Sequence, residues 1–277
     1  MRIDGHTEVI AHLGYPTHSF KAPLIYNPYF EAAGINALVV PMACRAGSFP
    51  RVLKDIFEMD NVRGALITMP HKVSVVALLD EVSAAVRVSG ACNAVKRVGT
   101  KLVGDQFDGE GFVRGAMRKG FEARGSRCLV VGCGGVGRPI AASLAQAGAG
   151  EIALYDVAPD AAADLAQRLR AHFPKLKVQV ATYDPAGFDF VVNATPLGMN
   201  DGDALPVDVG RIDAGTFVGD VVMRKQLTPF LAAAEARGCR IQVGTDMLFE
   251  MIPPYLEFFG LPVTTPEHLR SLAQLEP

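Results

Sequence analysis

Hydrophobic residues in this chain are grouped into short runs, rich in β-branched residues, that are separated by longer amphipathic stretches. Such runs are typical of buried strands, and intervening stretches of roughly 10 to 15 residues are typical of helices. The predicted strands are 37–40, 64–68, 129–131, 151–155, 177–180, 190–193, 217–221 and 240–243. The alternation of buried strands with helices predicts an α/β protein with parallel sheets covered by helices on both faces.

The predicted elements fall into two series. Residues 97–106 are interpreted as a hairpin-like or extended connection, and a helix at 112–119 then leads to a new first strand. A boundary is therefore expected near residue 106. A further helix is predicted at 247–259, with Leu261-Pro262 as its stop signal, and is expected to return to the first domain. The predicted division is one domain of residues 1–106 plus about 238–277, and a second domain of residues 107–237.

Composition narrows the classes of function. The chain has 277 residues, of which 49% are hydrophobic and 20% charged, as expected for a well-packed globular protein. A formal net charge of -2 argues against nucleic acid or an anionic membrane as a general partner, so a small-molecule ligand is expected. The five cysteines show no metal-binding spacing and are interpreted as free thiols. With no signal-peptide pattern or long apolar run, a cytoplasmic location without membrane contact is expected.

A glycine pattern, G-x-G-x-x-G, follows the predicted strand 129–131 at Gly132, Gly134 and Gly137. In a dinucleotide site the first glycine makes a tight turn, the second lets pyrophosphate approach the main chain, and the third lets helix and strand pack closely. The helix predicted at 139–147 begins here, and free N–H groups at a helix N-terminus bind phosphate without a basic side chain. The predicted cofactor-binding residues of this turn are Gly132, Gly134, Gly135, Val136 and Gly137.

Asp156 ends the next predicted strand, where a dinucleotide site has an acidic ligand for the ribose. A carboxylate that accepts ribose hydroxyl bonds favours NAD, whereas it repels the 2′-phosphate of NADP. The residues that follow, Val157-Ala158-Pro159, include no Arg or Lys to offset that repulsion. The sequence therefore predicts NAD as the cofactor, with NADP disfavoured.

Three segments of the first domain place polar residues in apolar surroundings: 64–72, 89–94 and 104–109. The first is a predicted strand that runs into a turn containing Pro70. Thr68 and Lys72 are therefore expected at the carboxyl end of a strand, where open α/β sheets bind ligands. A solvent-exposed turn is the alternative interpretation of Lys72, because lysine is rarely buried. Asp108 has an alternative role as the cap of the helix that follows it.

With these segments the chain resembles the shikimate dehydrogenase family, and the resemblance covers most of its length, from about Leu13 to Leu261. The family's N-V-T-x-P-x-K, G-A-x-N and G-x-N-T-D-G motifs resemble residues 66–72, 90–93 and 104–109. Its A-G-G nucleotide turn resembles residues 133–135, and its N-A-T-x-x-G-M motif matches residues 193–199. Asp220 with Thr228-Pro229 resembles a late motif of the family. The resemblance implies an open α/β substrate domain, a Rossmann-type NAD-binding domain, and an active-site groove between them.

The resemblance also implies roles for single residues. Lys72 and Asp108 match the pair that flanks the reacting hydroxyl, and a positioned ammonium or amine suits the proton transfer that accompanies hydride transfer. Thr68 and Asn93 match residues that bind substrate hydroxyls, although a strand end and a turn would also account for them. Further cofactor contacts are expected at Asn193, Thr195, Pro196, Val221 and Gly244.

Other positions depart from the family pattern. Phe20 and Ala22 stand where the family has two serines that bind the substrate carboxylate. Met223 and Met251 replace a tyrosine and a glutamine, and Leu66 replaces the first residue of N-V-T. Burial of a carboxylate against such side chains costs roughly several kcal/mol without replacement donors, so shikimate is a disfavoured substrate. Phe20 and Met251 are the substrate contacts predicted to set this chain apart.

The expected function is an NAD-dependent dehydrogenase that acts on a small, cyclic hydroxy compound other than shikimate. One alternative is a genuine shikimate or quinate dehydrogenase with a rearranged loop, in which Ser19, His18 or Lys21 restores an anion site. Ser19 is otherwise a surface-loop residue. A second alternative is an NAD-binding sensor with little catalysis. Both a monomer and a homodimer are compatible with the sequence.

Overall fold

The computed structural model describes residues 3–180, 183–223 and 227–275. Its strands are β1 (Glu8–Gly14), β2 (Ala37–Ala43), β3 (Val62–Ile67), β4 (Glu81–Val82), β5 (Ala94–Val98), β6 (Lys101–Asp105), β7 (Arg127–Val131), β8 (Glu151–Tyr155), β9 (Lys177–Val180), β10 (Phe190–Asn193), β11 (Phe217–Asp220) and β12 (Arg240–Gln242). Its α-helices are α1 (Pro23–Ala32), α2 (Phe49–Ile56), α3 (Ala84–Ser89), α4 (Asp108–Arg118), α5 (Gly137–Gln146), α6 (Pro159–His172), α7 (Pro229–Ala236), α8 (Gly244–Phe258) and α9 (Pro266–Leu272). Strands and helices thus alternate as the hydrophobic pattern predicts, and the class is α/β.

The chain divides into two compact units. Unit 1 contains Met1–Arg87, Ala91–Phe107 and Met251–Pro277, and unit 2 contains Val88–Gly90 and Asp108–Glu250. The chain passes from unit 2 back to unit 1 between Glu250 and Met251, inside α8, whereas the sequence predicted this boundary near residue 238. The boundary lies after residue 238 because β12 pairs in parallel with β11 and so belongs to the sheet of unit 2.

The sheet of unit 1 has the strand order β2-β1-β3-β5-β6-β4. β1 pairs in parallel with β2 and β3, but β5 is antiparallel to both β3 and β6. The sheet is therefore mixed and not wholly parallel. Residues 97–106, predicted as a hairpin-like or extended connection, contain the end of β5, a turn at residues 99–100 and the whole of β6, and a turn this short can connect only antiparallel strands. Gly99, with φ 61°, supplies the left-handed conformation of that turn.

The sheet of unit 2 has the order β12-β11-β10-β7-β8-β9, and its neighbouring strands are parallel. This is the Rossmann-type order. From β7 the chain first adds strands on one side of the sheet and then crosses to β10 on the other. The carboxyl ends of β7 and β10 therefore meet at the topological switch point, where open α/β sheets bind ligands.

Each sheet is held by its own hydrophobic core. Side chains of Leu13, Leu53 and Ile67 belong to the core of unit 1, and Leu129 and Val191 belong to that of unit 2. Parallel strands that are covered on both faces must be apolar on both faces, which explains the continuous hydrophobic runs. This packing fixes the carboxyl edge of each sheet, where candidate site residues lie.

Candidate functional site

The glycine turn at the end of β7 has the geometry that a phosphate cradle requires. A Cβ atom on Gly137 would overlap the carbonyl oxygen of Gly132, and one on Gly132 would lie 2.7 Å from the carbonyl of Ala194. Gly132 also has φ 99°. Gly134 is exposed, and a Cβ there would meet nothing within 4 Å. The turn is therefore tight on its protein side and open at Gly134, which fits a pyrophosphate at the N-terminus of α5.

Asp156 follows β8 directly and connects that strand to the glycine turn. Its Oδ2 atom accepts a 2.7 Å hydrogen bond from the main-chain N–H of Cys133, and Oδ1 accepts one of 2.8 Å from Ala158. Because an ionised carboxylate has about four acceptor positions, capacity remains for ribose hydroxyls. Burial, with the nearby Asp156 as a second cause, raises the pKa of the Cys133 thiol to about 12, so this cysteine adds no negative charge to the turn.

The ends of β10 and β11 are joined by a buried polar network. The Asp220 carboxylate accepts bonds from Asn193 Nδ2 at 3.0 Å and from Thr228 Oγ1 at 2.7 Å. Burial raises the pKa of Asp220, which is fully buried. Asn193 Oδ1 in turn accepts bonds from both the main-chain N–H and the hydroxyl of Thr195. Asn193 therefore shapes the loop after β10 from within the protein.

The other predicted cofactor residues lie at the same edge of the unit 2 sheet. The main-chain N–H of Val221 donates to the Asn193 carbonyl at 3.1 Å. Gly244 begins α8, and a Cβ on it would lie 2.6 Å from the Val222 carbonyl oxygen. Pro196 is exposed in the loop after β10. A residue without a side chain is thus required where α8 begins against the end of β11.

In unit 1, Thr68 and Lys72 follow the carboxyl end of β3, as the sequence predicts. Lys72 is only 8% exposed, so it is not the solvated turn lysine of the alternative interpretation. Its carbonyl oxygen accepts a 2.8 Å hydrogen bond from the N–H of Cys92. This bond connects the loop after β3 to the segment that leads into β5. Thr68 is half-buried, and its N–H donates to the carbonyl of Leu13 near the end of β1.

Asn93 is fully buried and links several strands of unit 1. Its main chain bonds to Ile67 and Asp105, and its Oδ1 atom accepts a 3.0 Å bond from the N–H of Phe107. Its Nδ2 atom has no hydrogen-bond partner among the described residues. A buried amide that donates nothing is unusual, because most buried polar groups are paired. The Asn93 side chain is therefore held through Oδ1, while its Nδ2 atom donates no hydrogen bond within the described residues.

Phe20 lies against the carboxyl end of β1. Its ring stacks on the imidazole of His12, with 4.1 Å between centroids and 28° between planes. A Cβ on Gly14 would meet the tip of the Phe20 ring and would overlap the methyl group of Thr68. Ser19, beside Phe20, is exposed. His12 was not among the residues predicted from the sequence, although a histidine inside an otherwise apolar run was a signal for it.

Three more residues singled out in the sequence lie in α4, in α8 and after β11. Asp108 is the first residue of α4, in unit 2, and is 1% exposed. The helix begins there and not at the predicted residue 112, because an aspartate suits the first turn of a helix. Met251 lies in α8 and is 8% exposed, while Met223 is half-buried after β11.

The described residues show neither a membrane span nor a metal cluster. Within residues 3–180, 183–223 and 227–275, the helices are all too short or too polar to cross a membrane. Over those same residues, the His, Cys, Asp and Glu side chains form no group of three that could hold a metal ion.

Comparison with known proteins places the chain in a family. Residues 13–95 match the shikimate dehydrogenase substrate binding domain, and residues 117–160 match the ThiF family. A curated relative from Geobacter metallireducens, named shikimate dehydrogenase (NADP(+)), is 33% identical over 256 residues, or 90% of this chain and 89% of the relative.

Two solved structures extend the comparison. The ligand-free 5-ketofructose reductase of Gluconobacter sp. strain CHM43 has a TM-score of 0.83 and 26% identity, covering 96% of this chain and 98% of that chain. Quinate dehydrogenase from Corynebacterium glutamicum, in complex with NAD, has a TM-score of 0.85 and 27% identity, covering 96% of this chain and 98% of that chain. Together with the sequence identity over most of both chains, these likenesses show that the protein belongs to the shikimate dehydrogenase family of oxidoreductases.

Proposed function

We propose that this protein is an oxidoreductase that transfers a hydride between NAD(H) and a hydroxyl or ketone group of a small, cyclic substrate other than shikimate. The observation that carries the proposal is the burial of Lys72 beyond the carboxyl end of β3. Lysine is rarely buried, and the buried Asn93 amide in the same unit keeps a donor for a ligand.

Oxidation of an alcohol requires a hydride to leave the carbinol carbon while a proton leaves the oxygen. Bound NAD supplies the hydride acceptor. Lys72 accepts the hydroxyl proton and returns it in the reverse direction, and Asp108 keeps the supporting role that the family resemblance implies. Thr68 and Asn93 hydrogen-bond substrate hydroxyls and so orient the reacting carbon. Correct orientation matters because misplacement of the reacting atoms by about 1 Å can lower the rate by about 100-fold.

The proposed substrate follows from side chains near the carboxyl ends of β1 and β3. Ala22 is buried, and Phe20 is packed on His12 where the family has a serine. Leu66, which is 4% exposed, replaces the first residue of the family's N-V-T motif. Placing a carboxylate against such groups without donors costs roughly several kcal/mol. An uncharged substrate is favoured, and 5-ketofructose, named for the Gluconobacter protein, is one uncharged ketone to test.

The proposed cofactor is NAD, although the Geobacter relative is named for NADP(+). The support is the fixed carboxylate of Asp156, which is held by two main-chain N–H groups at the end of β8. A 2′-phosphate near this carboxylate would meet a like charge. The Corynebacterium quinate dehydrogenase, in complex with NAD, provides a precedent in the same family.

The test is a coupled measurement of cofactor and substrate use. Shikimate and quinate with NAD or NADP, and 5-ketofructose with NADH or NADPH, are followed at the absorbance of the reduced nicotinamide. We expect kcat/KM at least about tenfold higher with NAD than with NADP, from a difference of roughly 1.4 kcal/mol or more. Shikimate as the best substrate, or equal use of NADP, would contradict the corresponding part of the proposal.

The role of Lys72 is tested separately. Lys72→Ala is expected to lower kcat by roughly 100-fold or more, as for loss of a general acid or base. Lys54→Ala is the matched control, because Lys54 lies exposed on α2 of the same unit. Turnover retained in Lys72→Ala at the level of the control would exclude the proposed chemistry.

A further inference from the structure

His12 is a buried polar residue in the middle of an apolar strand. Its neighbours along β1, Ala11 and Leu13, are fully buried, and His12 itself is 8% exposed. Its Nδ1 atom is buried and has no hydrogen-bond partner among the described residues. Buried polar groups are normally paired, so an unpaired imidazole nitrogen requires an explanation.

The surroundings of His12 include the predicted substrate residues of unit 1. Parallel pairing of β1 with β3 sets His12 opposite Leu66, so both side chains lie on the same face of the sheet. Two residues further along each strand lie Gly14 and Thr68. The side chains of Thr68 and Phe20 both lie against Gly14, where they would contact a Cβ atom, and the Phe20 ring also stacks on the imidazole of His12. His12 therefore forms one cluster with Phe20 and Thr68 at the carboxyl edge of the sheet.

The imidazole of His12 is uncharged at neutral pH. Burial, followed by the positive charge of Lys72, lowers the pKa of His12 to about 3. The neutral ring offers one N–H donor and one acceptor nitrogen. An alcohol group both donates and accepts, so it can pair with Nδ1 of His12 in either tautomer of the ring, whereas a carboxylate only accepts and can pair with Nδ1 only when that nitrogen carries the proton.

We propose that His12 is a substrate-specificity residue: its imidazole, held by the Phe20 ring, hydrogen-bonds an uncharged hydroxyl group of the substrate near Lys72. This inference rests on the proposed function, because Lys72 is there the group that handles the reacting hydroxyl. It extends that function by proposing that the cluster of His12, Phe20 and Thr68 binds an alcohol group of the substrate and not a carboxylate. His12 binds and orients the substrate, whereas proton transfer stays with Lys72.

The first test is kinetic and uses 5-ketofructose with NADH, and shikimate and quinate with NAD. His12→Leu keeps apolar volume against Phe20 and removes both ring nitrogens. It is expected to raise KM for the best-used probe by about tenfold with kcat changed by less than about twofold, as for a lost neutral hydrogen bond. His12→Asn, which keeps polar atoms close to the position of Nδ1, is expected to recover much of that loss. His172→Leu, at an exposed position of α6, is the matched control.

The second test is a binding measurement that needs no turnover. Wild-type protein labelled with nitrogen-15 in histidine is titrated with each probe, and the His12 signals are identified by their loss in His12→Asn. We expect the ring nitrogen signals of His12 to shift on saturation with at least one probe. A shift without turnover supports the role of His12 and contradicts the proposed dehydrogenase function.

Three results overturn the inference itself. Turnover with a KM unchanged in His12→Leu leaves the dehydrogenase function standing and excludes His12 from substrate recognition. His12 signals that respond to no probe, together with wild-type KM values in both variants, exclude it as well. A KM raised equally in His12→Leu and His12→Asn also counts against a hydrogen bond, since it reports packing alone.

Discussion

Acid should destabilise unit 1 through protonation of His12. In the unfolded chain this imidazole titrates near 6.5, whereas burial and the charge of Lys72 lower its pKa to about 3 in the folded protein. Because the folded state disfavours the proton, the neutral group contributes fully above pH 6.5, and its contribution is lost as the pH falls toward 3. The linkage relation gives a loss of about 2 kcal/mol at about pH 5 and about 3 kcal/mol at about pH 4.

The assay is urea unfolding of wild type and His12→Leu at about pH 7.5 and about pH 5, analysed by linear extrapolation. Other groups titrate in both proteins, so the informative quantity is the difference between the two free energies of unfolding. That difference should move by about 2 kcal/mol in favour of His12→Leu when the pH is lowered. His172→Leu should follow the wild type, because its side chain lies in solvent. A change below about 0.5 kcal/mol would refute the assignment of a buried neutral imidazole.

Three further predictions, two of them with a matched control substitution, concern the glycine turn, the cap of α7 and the acidic residue after β8. Gly137→Ala should lower the free energy of unfolding by about 3 kcal/mol through overlap with the main chain, whereas Gly134→Ala, which meets open space, should change it by less than about 0.5 kcal/mol in urea unfolding. Thr228→Val should cost about 2 kcal/mol of stability in the same assay, since it removes the cap of α7 and a bond to the buried Asp220, and Thr228→Ser should retain most of it. Asp156→Ala should weaken NAD binding by about tenfold or more and NADP binding by less, as measured by titration calorimetry.

The sequence was most informative where local pattern and tertiary role coincide. The strands β8 and β10 begin and end at the predicted residues, because each is a short, mainly apolar run that is buried within a parallel sheet. The glycine turn could be recognised from its spacing in the sequence, and the structure leaves no room for a side chain at Gly132 or at Gly137. By contrast, β1 was not predicted, since the polar residues Glu8 and His12 interrupt its apolar run.

Sequence alone thus determined the α/β class, the positions of the glycine turn after β7 and of the acidic residue after β8, and the family resemblance that the relatives confirm. These features depend on periodicity and on neighbours in the chain, which are local properties. Only the tertiary structure decided that β5 runs antiparallel, that β12 joins the second sheet, and that Lys72 is buried. It alone also brought His12 against Phe20 and left its Nδ1 atom without a partner in the described chain. Strand pairing and burial join residues far apart in the chain, so the physical cause of these features lies in packing that no local pattern encodes.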